Sequence, residues 1–252
     1  MSYAVPVYDV KTTAENISRD WSNLPVKLPK ALNQAIAVFD ETGFVHYEAP
    51  IVDVASITVE NVGATIDDLA NELSGASLFE VVPGTVGGTR TWEKAKHMVR
   101  HQLANEVLRQ AGAAVPGLIG QLSDPFAADV AALAECLDRM PESLDAGSLV
   151  SAGADAVLAL GEAREIASRI KRVDSWLATL TQLPLYAARP DHVLRLFAPE
   201  TKAQLQALEE TQRHHDAVTV ELGPVLIAGI RAGVPTALNT PHDAARIRAE
   251  IA

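Results

Sequence analysis

The chain has 252 residues, a mass of 26.8 kDa and a formal net charge of −11, and it is 48% hydrophobic but only 5% aromatic. This length suffices for a sizeable core, which excludes a disordered tail or a disulfide-held mini-protein. The net negative charge argues against binding to nucleic acid, because most of the surface would repel a polyanion. Cys136 is the single cysteine and lies in an alanine-rich segment, which predicts a buried, unreactive thiol.

No membrane-spanning or secretory segment is predicted from the sequence. The most apolar run, 222–230, has roughly nine residues, well below the ~20 that span a bilayer as a helix. The N-terminus lacks a cationic start followed by an apolar stretch, so we expect a cytoplasmic protein that does not contact a membrane. Gly229 and Gly233 form a GxxxG spacing, which in an acidic chain of this kind indicates tight packing of a helix.

The first 88 residues carry nearly all of the strand signal. A helix is predicted over 13–21, and another begins at Thr65 as N-cap and carries an apolar stripe as far as Leu73. Four segments have the composition or alternation of strands: 35–39, 44–48, 56–62 and 78–82. The first two are joined by a polar loop that ends in glycine, which is typical of a β-hairpin. We therefore predict a small α+β module over 1–88.

After Gly88 the pattern becomes helical almost to the end of the chain, so 89–252 is predicted to be an α-helical bundle. A helix over 92–111 is expected to stop at Gly112, and Asp124 followed by Pro125 is expected to begin the next one. Thr240 and Pro241 have the residue types that open a last short helix.

A heptad pattern is the longest periodicity in the sequence. Apolar residues recur at alternating spacings of four and three for about four heptads, as in a coiled coil. They are small in the first half and larger in the second: Ala152, Ala156, Ala159, Ala163, Ile166, Ile170, Val173, Leu177 and Leu180. We expect this helix to end before Pro184 and to form a coiled-coil-like antiparallel hairpin with a helix over 201–219.

A glycine-rich loop from Gly84 to Thr91 follows a predicted strand and opens a predicted helix, a context in which backbone N–H groups can bind phosphate. The loop lacks the lysine and the glycine spacing of a Walker motif, and no GxGxxG is present. A flexible connection is the simpler interpretation. The candidate phosphate-binding or cofactor-binding residues are Gly84, Gly87, Gly88 and Arg90.

Glu93, His97 and His101 lie at successive i, i+4 steps, so they share one face of the predicted helix and are the candidate metal ligands. The HExxH order that places a general base between two ligands is missing. An exposed polar stripe is the alternative interpretation, and it needs no ion.

Basic residues concentrate in the same helix, between two acidic parts of the chain. Residues 90–112 carry five basic and two acidic side chains, whereas 113–163 carry one basic and eight acidic side chains. The basic residues are Arg90, Lys94, Lys96, Arg100 and Arg109. Without a helix-turn-helix, an electrostatic contact within the chain or with a partner subunit is favoured over DNA reading.

These observations favour a non-catalytic structural or adaptor protein that assembles into a larger homo-oligomer or particle, with a phage head or tail as one fitting setting. Its expected contact surfaces are the heptad helix and the basic helix, and no cofactor is expected. The alternative is a phosphate- or metal-binding enzyme whose site combines the Gly84–Thr91 loop with the face of Glu93, His97 and His101. A DNA-associated regulator acting through the basic helix is a third hypothesis.

Overall fold

Helices dominate the structure. The computed structural model describes residues 9–45, 58, 61–68, 79–80, 89–212 and 216–251, and of 79–80, 89–94 and 212 it describes the backbone alone. About 75% of this part is helical. The helices are α1 (Val10–Trp21), α2 (Lys30–Glu41), α3 (62–68), α4 (Thr91–Asp138), α5 (Ala146–Ala152), α6 (Ala154–Thr179), α7 (Lys202–Glu209), α8 (Ala217–Leu222), α9 (Pro224–Arg231) and α10 (Pro241–Ile251). Short 3₁₀ turns cover Leu180–Gln182, Pro184–Tyr186 and Glu210–Gln212.

The predicted N-terminal α+β module is wrong. Residues 35–39, predicted as the first strand of a hairpin, lie inside α2, and Val62 begins α3 where a strand was predicted to end. Leu32 and Phe39 of α2 are buried two turns apart, a helical spacing that the apolar run 35–39 concealed. Most of 44–48, 56–62 and 78–82 lies outside the described residues.

The strand content that is described is very small. Strand β1 (Phe79–Glu80) pairs antiparallel with β2 (Thr89–Arg90), and Phe197 forms an isolated bridge with Thr236. A two-residue ladder buries too little surface to form a module, so the protein is mainly helical.

Two predicted helix starts are close to the observed ones. Helix α1 begins at Val10, three residues before the predicted start, because the Asp9 side chain accepts a hydrogen bond from the Lys11 backbone N–H and caps the helix. At α10, Thr240 Oγ1 accepts from the Asp243 backbone N–H while the Asp243 carboxylate accepts from the Thr240 N–H. This reciprocal pair is a capping box.

Helix α4 runs for 48 residues, so the predicted end at Gly112 and the predicted restart at Asp124 are both wrong. It passes through Pro116 and Pro125, although a proline removes one helical hydrogen bond. Gly112 lies where an added Cβ would be 3.4 Å from the Leu185 Cβ, so this glycine lets the 3₁₀ turn approach. Tertiary packing on both sides of Gly112 therefore overrides the local stop signal.

The heptad stripe is buried from Ala156 in α6 to Leu180 in the 3₁₀ turn that follows, as the periodicity predicted. Its first member, Ala152, is exposed because Gly153, at φ +96°, ends α5 before α6 begins. The predicted helix over 201–219 is wrong, since α7 ends at Glu209 and α8 begins at Ala217. The principal partner of α6 is α4.

Ion pairs fix the relative direction of α4 and α6. Arg139, just after α4, binds Asp155 and Glu162 in the first turns of α6, at 2.7 Å each. Arg169, further along α6, binds Asp129, earlier in α4. Later residues of one helix meet earlier residues of the other, so the two helices are antiparallel.

One buried cluster includes side chains from α1, α2, α4 and α6 and from the C-terminal helices. Helices α1 and α2 pack on α4, and α9 packs on α7 and α8. Gly229 of α9 is the tight packing site that its GxxxG spacing predicts, because an added Cβ would overlap the aromatic ring of Phe197. The boundary at 88–89 stays a prediction. No helix in the described ranges combines the length and the hydropathy that crossing a membrane requires.

Candidate functional site

The glycine-rich loop is not available for a geometric test. Gly84, Gly87 and Gly88 lie outside the described residues, and Arg90 is described only as backbone in β2. Phosphate binding at this loop therefore stays a prediction.

His97 and His101 lie on an exposed polar face near the start of α4. Lys11 Nζ lies 3.5 Å from Nδ1 of His97, which places a positive charge where the hypothesis needs a metal ion. Among the side chains that the structure describes, which do not include Glu93, no three potential ligands converge on one point. The metal site stays a prediction, and it has gained no support.

The basic residues of α4 whose side chains are described bind partners within the chain. Lys96 Nζ donates to the Val45 carbonyl oxygen at 2.6 Å. The guanidinium of Arg100 donates to Glu15 at 2.7 Å and lies 4.8 Å from the centroid of the Phe39 ring.

Arg109 binds Glu106 one turn earlier, and its hydrogen bond lowers the pKa of Glu106 to about 2. Of these contacts, the ion pair between Arg100 and Glu15 of α1 offsets part of the excess positive charge of the helix within the chain. Lys94 and Arg90 side chains are not described.

Cys136 is buried at the α4–α6 contact, as its surroundings predict. Burial raises the pKa of the thiol, and the nearby Glu162 carboxylate raises it further. Because the thiolate is the reactive species, both effects oppose nucleophilic chemistry at this residue.

The outer face of the first turns of α6 is apolar and exposed. Val150, at the end of α5, is 74% exposed, Val157 is 51% exposed and Leu158 is 65% exposed. Ala154 and Gly161 are exposed beside them. The four residues of α6 lie at i, i+3, i+4 and i+7, so they form one face. We call Val150, Ala154, Val157, Leu158 and Gly161 the apolar ridge.

A groove of about 570 Å³ lies beside the second half of α6, between α1 and α8. Trp21 and Trp176 line it and are 1% and 4% exposed. Their rings meet edge to face, with centroids 5.7 Å apart and planes at 76°. The other lining residues are Asp20, Asn23, Leu24, Arg164, Ser168, Lys171, Arg172, Ser175, Thr179 and Glu221. We call this the tryptophan groove.

The charges along the tryptophan groove are unequally compensated. Arg164 donates to the Glu221 carboxylate at 2.8 and 3.0 Å, and Lys171 Nζ donates to the Glu221 carbonyl oxygen. Asp20 is bound by Arg19. Arg172 has no hydrogen-bond or ion-pair partner in the part of the chain that the structure describes. The groove thus carries net positive charge.

Sequence reasoning missed both surfaces. The ridge had a signal, because its apolar positions recur out of phase with the heptad, yet the heptad alone was interpreted. The groove had none, since it joins Trp21 to a tryptophan 155 positions later. No protein family, curated protein or solved structure matches the chain.

Proposed function

We propose that this protein is a non-catalytic structural or adaptor protein whose copies assemble through the apolar ridge. The observation that carries the proposal is the exposure of Val157 and Leu158 on a helix whose opposite face is also apolar. The first turns of α6 are apolar on two opposite faces, and an apolar helix face is normally buried. The ridge is the side that this chain leaves uncovered among its described residues.

The surface differs from the one that the heptad suggested. Ala156, Ala159 and Ala163 pack inside the chain, so the heptad stripe is not free to bind a partner. The ridge lies on the other side of α6. Its small residues, Ala154 and Gly161, would let a second helix approach closely, while Val157 and Leu158 supply apolar area.

A second copy of the chain is the occupant that we propose. In a two-fold dimer the same surface of each copy faces the other, so a surface of one charge sign would repel its counterpart. No ridge residue carries a charge, and Arg139 binds two acidic residues beside the ridge, Asp155 and Glu162, while the exposed Glu165 follows Gly161 by one turn. The ridge therefore meets the electrostatic condition for self-association.

Light scattering on the full chain, combined with size-exclusion chromatography, tests the proposal. From about 1 to 100 µM we expect the mass to reach at least twice the 26.8 kDa of one chain. Leu158→Glu should return the mass to that of the monomer, because a charge at the centre of the contact would lose its hydration.

Val220→Glu is the matched control, since Val220 is also exposed but lies on α8. It should leave the mass unchanged. A monomer at every concentration, or an oligomer that survives Leu158→Glu, would contradict assembly through the ridge.

A further inference from the structure

Two buried indole N–H groups in the tryptophan groove have no acceptor. Among the described residues, two buried side-chain polar atoms have no hydrogen-bond partner. They are Nε1 of Trp21 and Nε1 of Trp176. Buried polar groups in folded proteins are normally paired, so an orphaned donor calls for a specific explanation.

The contact between the two rings explains at most one of them. In an edge-to-face pair, the edge of one indole points at the face of the other, so one N–H can donate to a π face. The second ring presents its face and not its edge, and its N–H remains without an acceptor. At least one of these donors, each shielded from solvent beneath the wall of the groove, therefore lacks an acceptor.

The remaining lining completes a site of mixed character. Ser168, Arg172 and Ser175 follow one another at i, i+4 and i+7 on the same face of α6 as Trp176. Leu24 and the two tryptophans give an apolar wall. The volume of about 570 Å³ falls in the range of small-molecule sites.

We propose that the tryptophan groove binds a small molecule with a flat apolar body and an oxyanion, either a carboxylate or a phosphate. The ring system packs against Leu24 and the exposed edges of the tryptophans, and a small rotation of the side chains that cover one indole lets an oxygen accept its N–H. The oxyanion lies near Arg172 and Lys171, whose charges no carboxylate in the described part neutralises. This site is independent of the ridge.

Binding of 1-naphthoate to the ¹⁵N-labelled full chain tests the proposal. The indole N–H resonances of Trp21, Trp92 and Trp176, assigned with single Trp→Phe variants, report the location. We expect the resonances of Trp21 and Trp176 to shift. 1-Naphthamide keeps the rings and the oxygen but loses the charge, and it should bind about tenfold more weakly.

Arg172→Gln should weaken 1-naphthoate about tenfold without changing the affinity for 1-naphthamide. Arg189→Gln is the matched control, because Arg189 is another exposed arginine without a partner in the described chain and lies outside the groove. It should change neither affinity. Circular dichroism establishes that both variants are folded.

1-Naphthyl phosphate distinguishes the two oxyanions. Binding of either anion, with the expected indole shifts, supports the site and identifies its preferred group. The proposal is overturned if neither anion moves the two indole resonances, if acid and amide bind equally, or if Arg172→Gln behaves as Arg189→Gln does.

Discussion

The two halves of α6 differ in the size of their buried residues and in the polarity of their outer face. In the first half the buried residues are small, such as Ala159 and Ala163, and the outer face is the apolar ridge. In the second half the buried residues are large, such as Trp176 and Leu177, and the outer face carries Arg172 and other polar residues along a groove.

This difference teaches how one helix can serve two surfaces. Small buried residues let a helix lie close to its partner, and large ones hold it away. An apolar outer face leaves a surface that another chain could cover, whereas a polar face over a tryptophan pair leaves a place for a small ligand. Each contrast can be broken by a single substitution.

The largest expected loss of stability comes from creating a cavity beside the second half of α6. Leu177→Ala should lower the free energy of unfolding by about 2–5 kcal/mol, because it leaves a cavity among large side chains. Urea denaturation measures the change. Leu158→Ala, on the exposed ridge, should cost less than about 0.5 kcal/mol in dilute protein. Equal losses would contradict the assignment of inner and outer faces.

Overfilling the first half should have the next largest effect. Ala163 is fully buried, and Ala163→Leu should cost about 1–3 kcal/mol, because the added atoms must displace α4. Ala178→Leu, at an exposed position in the second half, is the control and should change stability by less than about 0.5 kcal/mol. If the protein tolerates Ala163→Leu as well as the control, the close approach is wrong.

Breaking the ion pairs of the first half should have a smaller effect. Arg139→Gln removes two hydrogen-bonded carboxylate contacts and should destabilise the protein less than Ala163→Leu does, since both pairs are solvent-exposed. Thermal unfolding against Arg246→Gln, whose ion pairs are longer, measures the difference. A loss for Arg139→Gln as large as that for Leu177→Ala would show that charge, not packing, dominates this half.

The smallest expected effect is the loss of the ion pair between Arg139 and Asp155 in acid. The hydrogen bond from Arg139 lowers the pKa of Asp155 below its ordinary 3.8, so the stabilisation exists above that pH and is lost as pH falls through the folded-state value. The gap in unfolding free energy between wild type and Arg139→Gln should therefore begin to shrink as the pH falls to about 3.8 and should shrink further down to the folded-state pKa of Asp155. A gap that widens on acidification would have the wrong sign for this carboxyl.

Periodicity predicted what repeats over many residues, and failed where packing competes with local signals. The stripe from Ala156 to Leu180 is buried as predicted, because four heptads of consistent spacing outweigh single residues. Gly112 and Pro125 are residue types that predict a helix end and a helix start, but α4 passes through both. The strand predicted over 35–39 is part of α2, because five consecutive apolar positions fit a strand and a helix equally well.

The candidate surfaces could be predicted only in part. Val157 and Leu158 follow one another in the sequence, and their exposure follows once the heptad fixes which face is buried. Trp21 and Trp176 come together through the packing of α1 beside α6, which no local pattern encodes. Of the candidate metal ligands, His97 lies on α4 as predicted. The positive charge beside it comes from Lys11 of α1, which is distant in the sequence.

The most direct test of the central claim measures whether one ridge lies against another. A spin label at Leu158→Cys, in a Cys136→Ala background, reports the distance between labels in the full chain by double electron–electron resonance. Packed helices lie about 8–10 Å apart, so we expect a distance on the order of 30 Å or less. The same label at Val220→Cys should give a longer distance. Absence of dipolar coupling at position 158, in protein that light scattering shows to be oligomeric, would contradict the account.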